Sequence, residues 1–193
     1  FLTKSLSIEP NQADVLHHWV YLRQKQCAWP IYVKLPRVSQ RFMEESTSAL
    51  AMLSISDDPA AQLDAASRFV SKKVLSSAPR YASPKGYGHN KIRVGYCSSD
   101  FSLHPVSMLT VQLFELHDRD KFEIYGYCWS PEDGSALRQR VISAMDYFTR
   151  INLMSDEEAA RKICIDEIDI LIDLQGQTAG ARANMLAYRP APV

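Results

Sequence analysis

The chain has 193 residues, of which 46% are hydrophobic, so it is long enough for one packed domain or for a smaller domain with a helical extension. Lysine plus arginine and aspartate plus glutamate number 22 each, and this zero formal net charge excludes a general polyanion-binding role and nucleic acid as the expected partner. The sequence shows neither a signal-peptide pattern nor an apolar run of membrane-spanning length, so we expect no membrane partner.

The first 27 residues predict a tetratricopeptide-like helical hairpin. Its first helix ends before Pro10, Asn11 is placed to cap the second, and Leu16, Trp19 and Val20 have the spacing of one helical face. The run SL-x-IEPN-x-A is similar to the junction between two tetratricopeptide repeats, where a proline closes one repeat and a new helix begins. Because only one repeat's worth is visible, an ordinary helical hairpin is the alternative.

Residues 28–90 are predicted to form a helical linker region. Trp-Pro and Leu-Pro pairs first interrupt the helical pattern, and helices are then expected near residues 39–53 and 59–75. Residues 76–90 are rich in Ser, Pro, Gly and Tyr, which is the composition of a linker.

From residue 91 to residue 193 strand and helix patterns alternate. Apolar runs at 92–97, 122–129 and 168–174 predict buried strands. Three helical patterns follow or separate them: a stripe of Val106, Leu109, Leu113 and Leu116, a stripe of Leu137, Val141 and Met145, and a capping box of Ser155 with Glu158. Strands alternating with helices of this length imply parallel pairing. The predicted fold class is therefore α/β, a Rossmann-like parallel sheet preceded by tetratricopeptide-like helices.

The four cysteines are widely separated and include no CxxC pair. We predict four reduced thiols, with Cys97 and Cys128 buried in strands. A reducing, cytoplasmic setting fits this pattern best.

The most informative stretch is VGYCSSDFSLHPVS, residues 94–107, which runs from a strand through a short loop into a helix. Ligands of open α/β sheets bind in that crevice, and the helix N-terminus favours phosphate. Pro105 biases His104 toward an extended conformation that brings the imidazole to the mouth of the crevice. A helix-capping or packing role for His104 is as open as a functional one at this point, and a turn or cap role is the favoured interpretation of Asp100. The loop lacks a GxGxxG pattern, which disfavours a dinucleotide cofactor.

A second strand-turn-helix stretch is LIDLQGQTAGAR, residues 171–182. Gly176 and Gly180 permit close backbone approach and Arg182 supplies charge, although glycines here are more often turn residues than phosphate cradles. The other four histidines, His17, His18, His89 and His117, have no spacing that indicates a metal site.

Three segments together resemble the N-terminal catalytic half of the O-GlcNAc transferase family, which includes the SPINDLY proteins and bacterial homologues. They are KIRVGYCSSDFSLHPVS, DKFEIYGYCWSPEDGSALRQRV and DILIDLQGQTAGARANMLAYRPAPV, and they match the family in order and spacing over residues 89–193. SSDF-x-x-HP and the G-x-T-x-GAR plus RPAP tail are specific in combination.

The resemblance implies inverting transfer of a sugar, N-acetylglucosamine from UDP-GlcNAc or another nucleotide sugar, to Ser or Thr of acceptor proteins, with no cofactor or metal. By the same resemblance His104 and Asp100 are the catalytic candidates, and Pro105 and Val106 contact substrate. The family has two Rossmann-like lobes, the C-terminal one holding most of the nucleotide, and a tetratricopeptide region that meets acceptor proteins. A chain without that C-terminal lobe is expected to be inactive alone.

Several positions depart from the animal enzymes of this family. Residues 41–51 contain no histidine where those enzymes are histidine-rich, Val106 replaces a threonine, and Gln177 replaces a common tyrosine. These departures leave the donor sugar and the acceptor open. The alternative function is a non-catalytic interaction module that joins tetratricopeptide helices to a Rossmann-like domain.

Overall fold

The computed structural model of the chain describes residues 1–178 and 180–193 and contains two structural units. The first unit is Phe1–Lys73 and the second is Val74–Val193. Within the described part of the chain, every helix is too short or too polar to cross a bilayer.

The first unit consists of helices. They are α1 (Leu2–Ile8), α2 (Ala13–Lys25), α3 (Gln40–Ser46), α4 (Ala49–Ile55) and α5 (Pro59–Lys73). The helix pair expected in the first 26 residues is confirmed, and its packed face includes Leu6, Leu16 and Val20, each at most 1% exposed. The helix expected near 39–53 is two helices, because Thr47 is extended and the Ser48 hydroxyl accepts from the Ala51 N–H to begin α4.

The cap predicted for α2 is wrong. The residue at the cap is Gln12 rather than Asn11, and its side chain makes no capping hydrogen bond to α2. Instead its amide Nε2 donates backward to the carbonyls of Ser5 and Glu9, at 3.2 Å and 2.7 Å. The long glutamine side chain therefore reaches back to carbonyls at the end of α1 instead of capping α2.

The second unit contains a four-stranded parallel sheet. Its elements are β1 (Ile92–Ser98), α6 (Pro105–Leu116), β2 (Phe122–Cys128), α7 (Ala136–Ser143), β3 (Tyr147–Arg150), α8 (Asp156–Ile165), β4 (Ile170–Asp173) and α9 (Ala183–Ala187). The strand order is β3-β2-β1-β4 and every pairing is parallel, so the predicted parallel sheet is confirmed. The sequence did not predict β3, and the burial predicted for the run 168–174 is wrong for β4, which lies at an edge with none of its four residues fully buried. The capping box of Ser155 with Glu158 at the start of α8 is confirmed as well.

Both faces of the sheet are covered. Alternate residues of β2 enter opposite core clusters, with Ile124 and Cys128 in one and Tyr125 and Tyr127 in the other. This burial on two faces explains why the central strands are continuous apolar runs rather than alternating patterns.

The exposed face of α6 carries the apolar stripe that the sequence suggests for this helix. Leu109, Leu113 and Leu116 are 83%, 50% and 74% exposed, whereas Val111 and Phe114 are buried. The two sets are offset by two residues, which is a rotation of about 200° on a helix of 3.6 residues per turn. The helix is apolar on both faces, so periodicity alone does not identify the buried one.

The thiols conform to the sequence prediction. All four cysteines are free, and both Cys97 and Cys128 are fully buried. Burial raises the pKa of the Cys97 thiol well above its usual range, which makes it a poor nucleophile. Across the described ranges 1–178 and 180–193 we find no cluster of three potential metal ligands.

Residues 76–90 have the composition of a linker but pack along the C-terminal end of the second unit. The N–H groups of Tyr81 and Ala82 donate to the carbonyls of Tyr188 and Arg189 at 2.9 Å and 3.1 Å. Ala82 is only 2% exposed. Backbone pairing, rather than regular secondary structure, holds this stretch in place.

The contact of His89 with Glu167 and Asp169, called the His89 clamp below, joins this stretch to the residues that precede β4. His89 lies between two carboxylates, with Nε2 2.9 Å from Glu167 Oε2 and Nδ1 3.0 Å from Asp169 Oδ2. Hydrogen bonds to Glu167 and then to Asp169 raise the pKa of His89, although nearby Arg93 opposes the shift. The folded state therefore favours the charged imidazole.

We expect this clamp to make stability depend on pH. Because the folded pKa of His89 lies above its unfolded value of about 6.5, its contribution is complete below that value and is lost as pH rises through the folded pKa. The melting temperature of the wild-type chain is measured from about pH 5 to about pH 8. It should fall more steeply toward high pH than the melting temperature of His89→Gln. Parallel melting curves for the two proteins would contradict this assignment.

Candidate active site

The candidate active site lies at the carboxyl edge of the sheet. Because β1, β2 and β4 are parallel and adjacent, the loops that follow them reach the same edge. These are the loops 99–104, 129–135 and 174–182. The first of them contains the predicted residues Asp100 and His104 and leads directly into α6.

His104 occupies the N-cap of α6, and Pro105 is the first residue of the helix. Its backbone is extended, with φ −138° and ψ 149°, as the following proline predicts. The imidazole Nδ1 accepts from the Val106 N–H at 3.3 Å, so the capping role is real, yet 43% of the side chain is exposed. Within the described residues Nε2 has no protein hydrogen-bond partner, which leaves this nitrogen available to a ligand.

Asp100 lies beside His104. Its Oδ2 is 3.7 Å from His104 Nδ1, and its Oδ1 accepts from the Ser99 hydroxyl at 3.0 Å. The Asp100 carbonyl accepts from the Ser107 hydroxyl of α6 at 2.6 Å. The carboxylate is thus fixed at the foot of the helix, next to the exposed imidazole.

This pair can handle a proton in two ways. When His104 Nδ1 accepts from Val106, a neutral ring carries its proton on Nε2 and donates there. When a proton instead lies on Nδ1 and faces Asp100, Nε2 is an acceptor, as in carboxylate–histidine pairs that act as general bases. The Asp100–His104 arrangement therefore permits either direction of proton transfer at Nε2.

Two side chains from the 129–138 region hold the loop 99–104. The Asp133 carboxylate accepts from the Leu103 N–H at 2.5 Å, and this hydrogen bond lowers the pKa of Asp133, so the carboxyl stays ionised. Arg138 is 0% exposed and donates to the Phe101 carbonyl at 2.5 Å. The Glu132 carboxylate receives two further bonds from Arg138, at 2.8 Å and 2.9 Å, so the buried charge is paired.

The loop 174–182 packs against Ser99 from the other side. Gly180 has φ +81°, and a Cβ added there would lie 3.9 Å from Ser99 Oγ. Trp129 Nε1 donates to the Gly180 carbonyl at 3.0 Å. The positive φ requires glycine or strain at this position, and the tryptophan connects the second loop to the third.

Comparison with known proteins decides the family. The sequence model of glycosyl transferase family 41 matches residues 60–193, which is more than half of the chain. This chain belongs to glycosyl transferase family 41.

The relatives of this family 41 chain are much longer than it is. It is 38% identical over 121 residues to a probable UDP-N-acetylglucosamine–peptide N-acetylglucosaminyltransferase of Arabidopsis thaliana, covering 60% of this chain and 12% of the relative. It is 35% identical over 127 residues to the UDP-N-acetylglucosamine–peptide N-acetylglucosaminyltransferase of Caenorhabditis elegans, covering 65% and 11%. The matched segments are thus a small part of either relative.

A solved structure shares the fold. A mutant O-GlcNAc transferase of Thermobaculum terrenum superposes with a TM-score of 0.70 at 23% identity, covering 100% of this chain and 38% of that chain.

Arg182, the charged residue of the loop 174–182, has a structural role in this family 41 chain. Arg182 donates to Asp156 Oδ1 at 2.7 Å and to the carbonyls of Ile151 and Met154 at 2.8 Å each. Its guanidinium also lies 5.8 Å from the Trp129 ring centroid. The charge of Arg182 that the sequence indicates is therefore paired with Asp156, and the guanidinium also bonds to two backbone carbonyls.

Sequence reasoning missed Arg138 and Gln175 in this family 41 site. Arg138 sits between the apolar positions of α7 and reads as a solvent-facing residue, although it is fully buried. Gln175 is 6% exposed and accepts from the Ser99 N–H at 3.1 Å. No local pattern distinguishes either residue, because their partners lie on other loops.

Proposed function

We propose that the chain is the acceptor-side part of a protein O-glycosyltransferase that transfers a sugar, with N-acetylglucosamine from UDP-GlcNAc as the favoured donor, to Ser or Thr hydroxyls. Family membership and the names of the two relatives above support this activity. The observation that carries the proposal is the Asp100–His104 pair, 3.7 Å apart at the start of α6 on the carboxyl edge of the sheet.

The proposed reaction is a single displacement. The acceptor hydroxyl oxygen forms a bond to the anomeric carbon of the sugar while the bond from that carbon to the diphosphate breaks, which inverts the configuration. The hydroxyl proton passes to His104 Nε2, with Asp100 stabilising the charged ring, or it passes to Asp100 as the proton acceptor or relay. Pro105 and Val106 border the acceptor, and the positive end of the α6 dipole attracts the diphosphate.

The proposal includes partners that lie outside the α/β unit. Residues 91–193 act as a Rossmann-like lobe that needs a second, nucleotide-binding lobe, and residues 1–27 form a tetratricopeptide-like hairpin that helps bind acceptor proteins. Residues 28–90 join the two, and the protein works in the cytoplasm without a cofactor. The exposed leucines of α6 support a further contact surface beside the site.

A transfer assay on the complete protein tests the proposal. Radiolabelled UDP-GlcNAc and a Ser/Thr-containing peptide should give a labelled peptide from which mild alkali releases the sugar. A rival function, a non-catalytic interaction module, predicts peptide binding without transfer from any nucleotide sugar. That second result would overturn the proposed activity.

A further inference from the structure

The side chain of Gln175 joins two of the loops at the candidate site. It lies on the loop after β4 and is 6% exposed. Its Oε1 accepts from the Ser99 N–H at 3.1 Å and from the Ser98 hydroxyl at 3.4 Å, both at the end of β1. Its Nε2 donates to Thr178 Oγ1 at 3.1 Å. One buried amide thus spans neighbouring strands at the edge where ligands of such sheets bind.

The contacts of Gln175 lead to the Asp100–His104 pair without touching it. The Ser98 hydroxyl accepts from the Asp100 N–H at 2.9 Å, and the Ser99 hydroxyl donates to Asp100 Oδ1 at 3.0 Å. Both serines that Gln175 contacts therefore bond to Asp100, one through its backbone and one through its carboxylate. Asp100 Oδ2 then faces His104.

Gln175 is itself held firmly. Its N–H donates to Asp173 Oδ1 at 3.0 Å, and its carbonyl accepts from the Thr178 hydroxyl at 2.8 Å. The adjacent Gly176 N–H donates to Asp173 Oδ2 at 2.9 Å. Backbone and side chain are fixed on both sides, so the amide has little freedom to swing away from Ser99.

We infer that Gln175 is a positioning residue: its amide holds the Ser98–Asp100 segment so that the Asp100 carboxylate faces His104 in a reactive geometry. The inference rests on the proposed function, because it assigns Gln175 a part in the same proton transfer. It adds the requirement that the Asp100 carboxylate be held in place, because small displacements of a reacting group lower the rate without changing the chemistry of the group. A merely structural glutamine would affect stability alone.

The main test replaces Gln175 with methionine, which has a similar length but neither donates nor accepts a strong hydrogen bond. In the complete protein we expect Gln175→Met to lower kcat about 10–100-fold while KM for the nucleotide sugar changes by less than about 3-fold. The matched control is Gln62→Met in α5, where the side-chain amide donates to the Ser56 carbonyl at 2.8 Å. That change should leave kcat unaltered for the folded protein.

A second variant covers the case in which Gln175→Met does not fold. Thr178→Val is nearly isosteric and removes the hydroxyl that both accepts from and donates to Gln175. We expect its kcat to fall about 3–10-fold in the same assay, as a partial loosening of the amide. An unchanged kcat in the folded fraction of either variant, or a raised KM at constant kcat, would overturn the inference.

A readout that needs no transfer activity separates this inference from the proposed function. In the 193-residue chain, amide hydrogen exchange at Ser99 and Asp100 should accelerate at least about 10-fold in Gln175→Met relative to amides of β2, and remain unchanged in Gln62→Met. If the wild-type protein transfers no sugar, the proposed function fails, and exchange at these two amides still decides whether Gln175 holds the loop. Equal exchange in wild type and Gln175→Met would show that it does not.

Discussion

Replacing His104 with alanine in the complete protein is expected to lower turnover by about 10²–10⁴-fold, the usual contribution of a general acid or base. The physical reason is that Nε2 is the available nitrogen of an exposed imidazole next to the Asp100 carboxylate. The same change removes the N-cap of α6, which costs about 0.5–2 kcal/mol of stability. Steady-state kinetics together with thermal melting measure the two losses separately.

The control for His104 uses an asparagine. His104→Asn retains a side-chain oxygen that can accept from the Val106 N–H, so the cap is preserved while the imidazole is lost. We expect this variant to melt close to wild type and to be as inactive as His104→Ala. Asp100→Asn, made in parallel, distinguishes the charge of that side chain from its shape. Full activity in His104→Asn would assign His104 to capping alone.

The 193-residue chain by itself is expected to transfer no sugar and to bind nucleotide sugars only weakly. The three loops at the carboxyl edge contain a single lysine or arginine, Arg182, which is bound to Asp156 and to two carbonyls. Of the other arginines near this edge, Arg138 is paired with Glu132, and Arg150 contacts Glu132 and the Ser130 carbonyl. Within the described part of the chain these three cations are not free to neutralise a departing diphosphate.

A second reason to expect no sugar transfer by the chain alone is that its crevice is open. A site that does not exclude water or align donor with acceptor loses the large contributions of proximity and desolvation to the rate. Calorimetry with several nucleotide sugars measures binding by the purified chain, and a radiolabel transfer assay measures its turnover. Micromolar binding together with turnover would show that the site is complete within these residues.

The parallel pairing of the central strands was predictable from the sequence because the relevant signals are local. The runs at 92–97 and 122–129 are apolar on both faces of each strand, and only a sheet covered on two sides buries them. Pro105 determined both the start of α6 and the extended backbone of His104. The crevice then followed from the rule that ligands bind beyond the carboxyl ends of parallel strands.

Features that depend on distant partners could not be predicted. The edge strand β3 has four residues, none of them buried, so its sequence carries no apolar run. The buried face of α6 was ambiguous because Leu109 and Val111 are both apolar and only tertiary packing selects between them. Arg138 and Gln175 gained their roles from carbonyls and N–H groups on other loops, and pairing of that kind leaves no periodic trace in the sequence.

The proposed site is tested most directly by where substrates contact the chain, and chemical-shift mapping measures that location even for weak ligands. A ¹⁵N-labelled sample of the 193 residues is titrated with UDP-GlcNAc and, separately, with a Ser/Thr peptide. We expect the amides that shift to lie in 98–107 and 174–182, including His104 and the start of α6, and the amides at the His89 clamp to be unaffected. Shifts centred on the opposite edge of the sheet, with 98–107 unperturbed by either ligand, would contradict the proposed site.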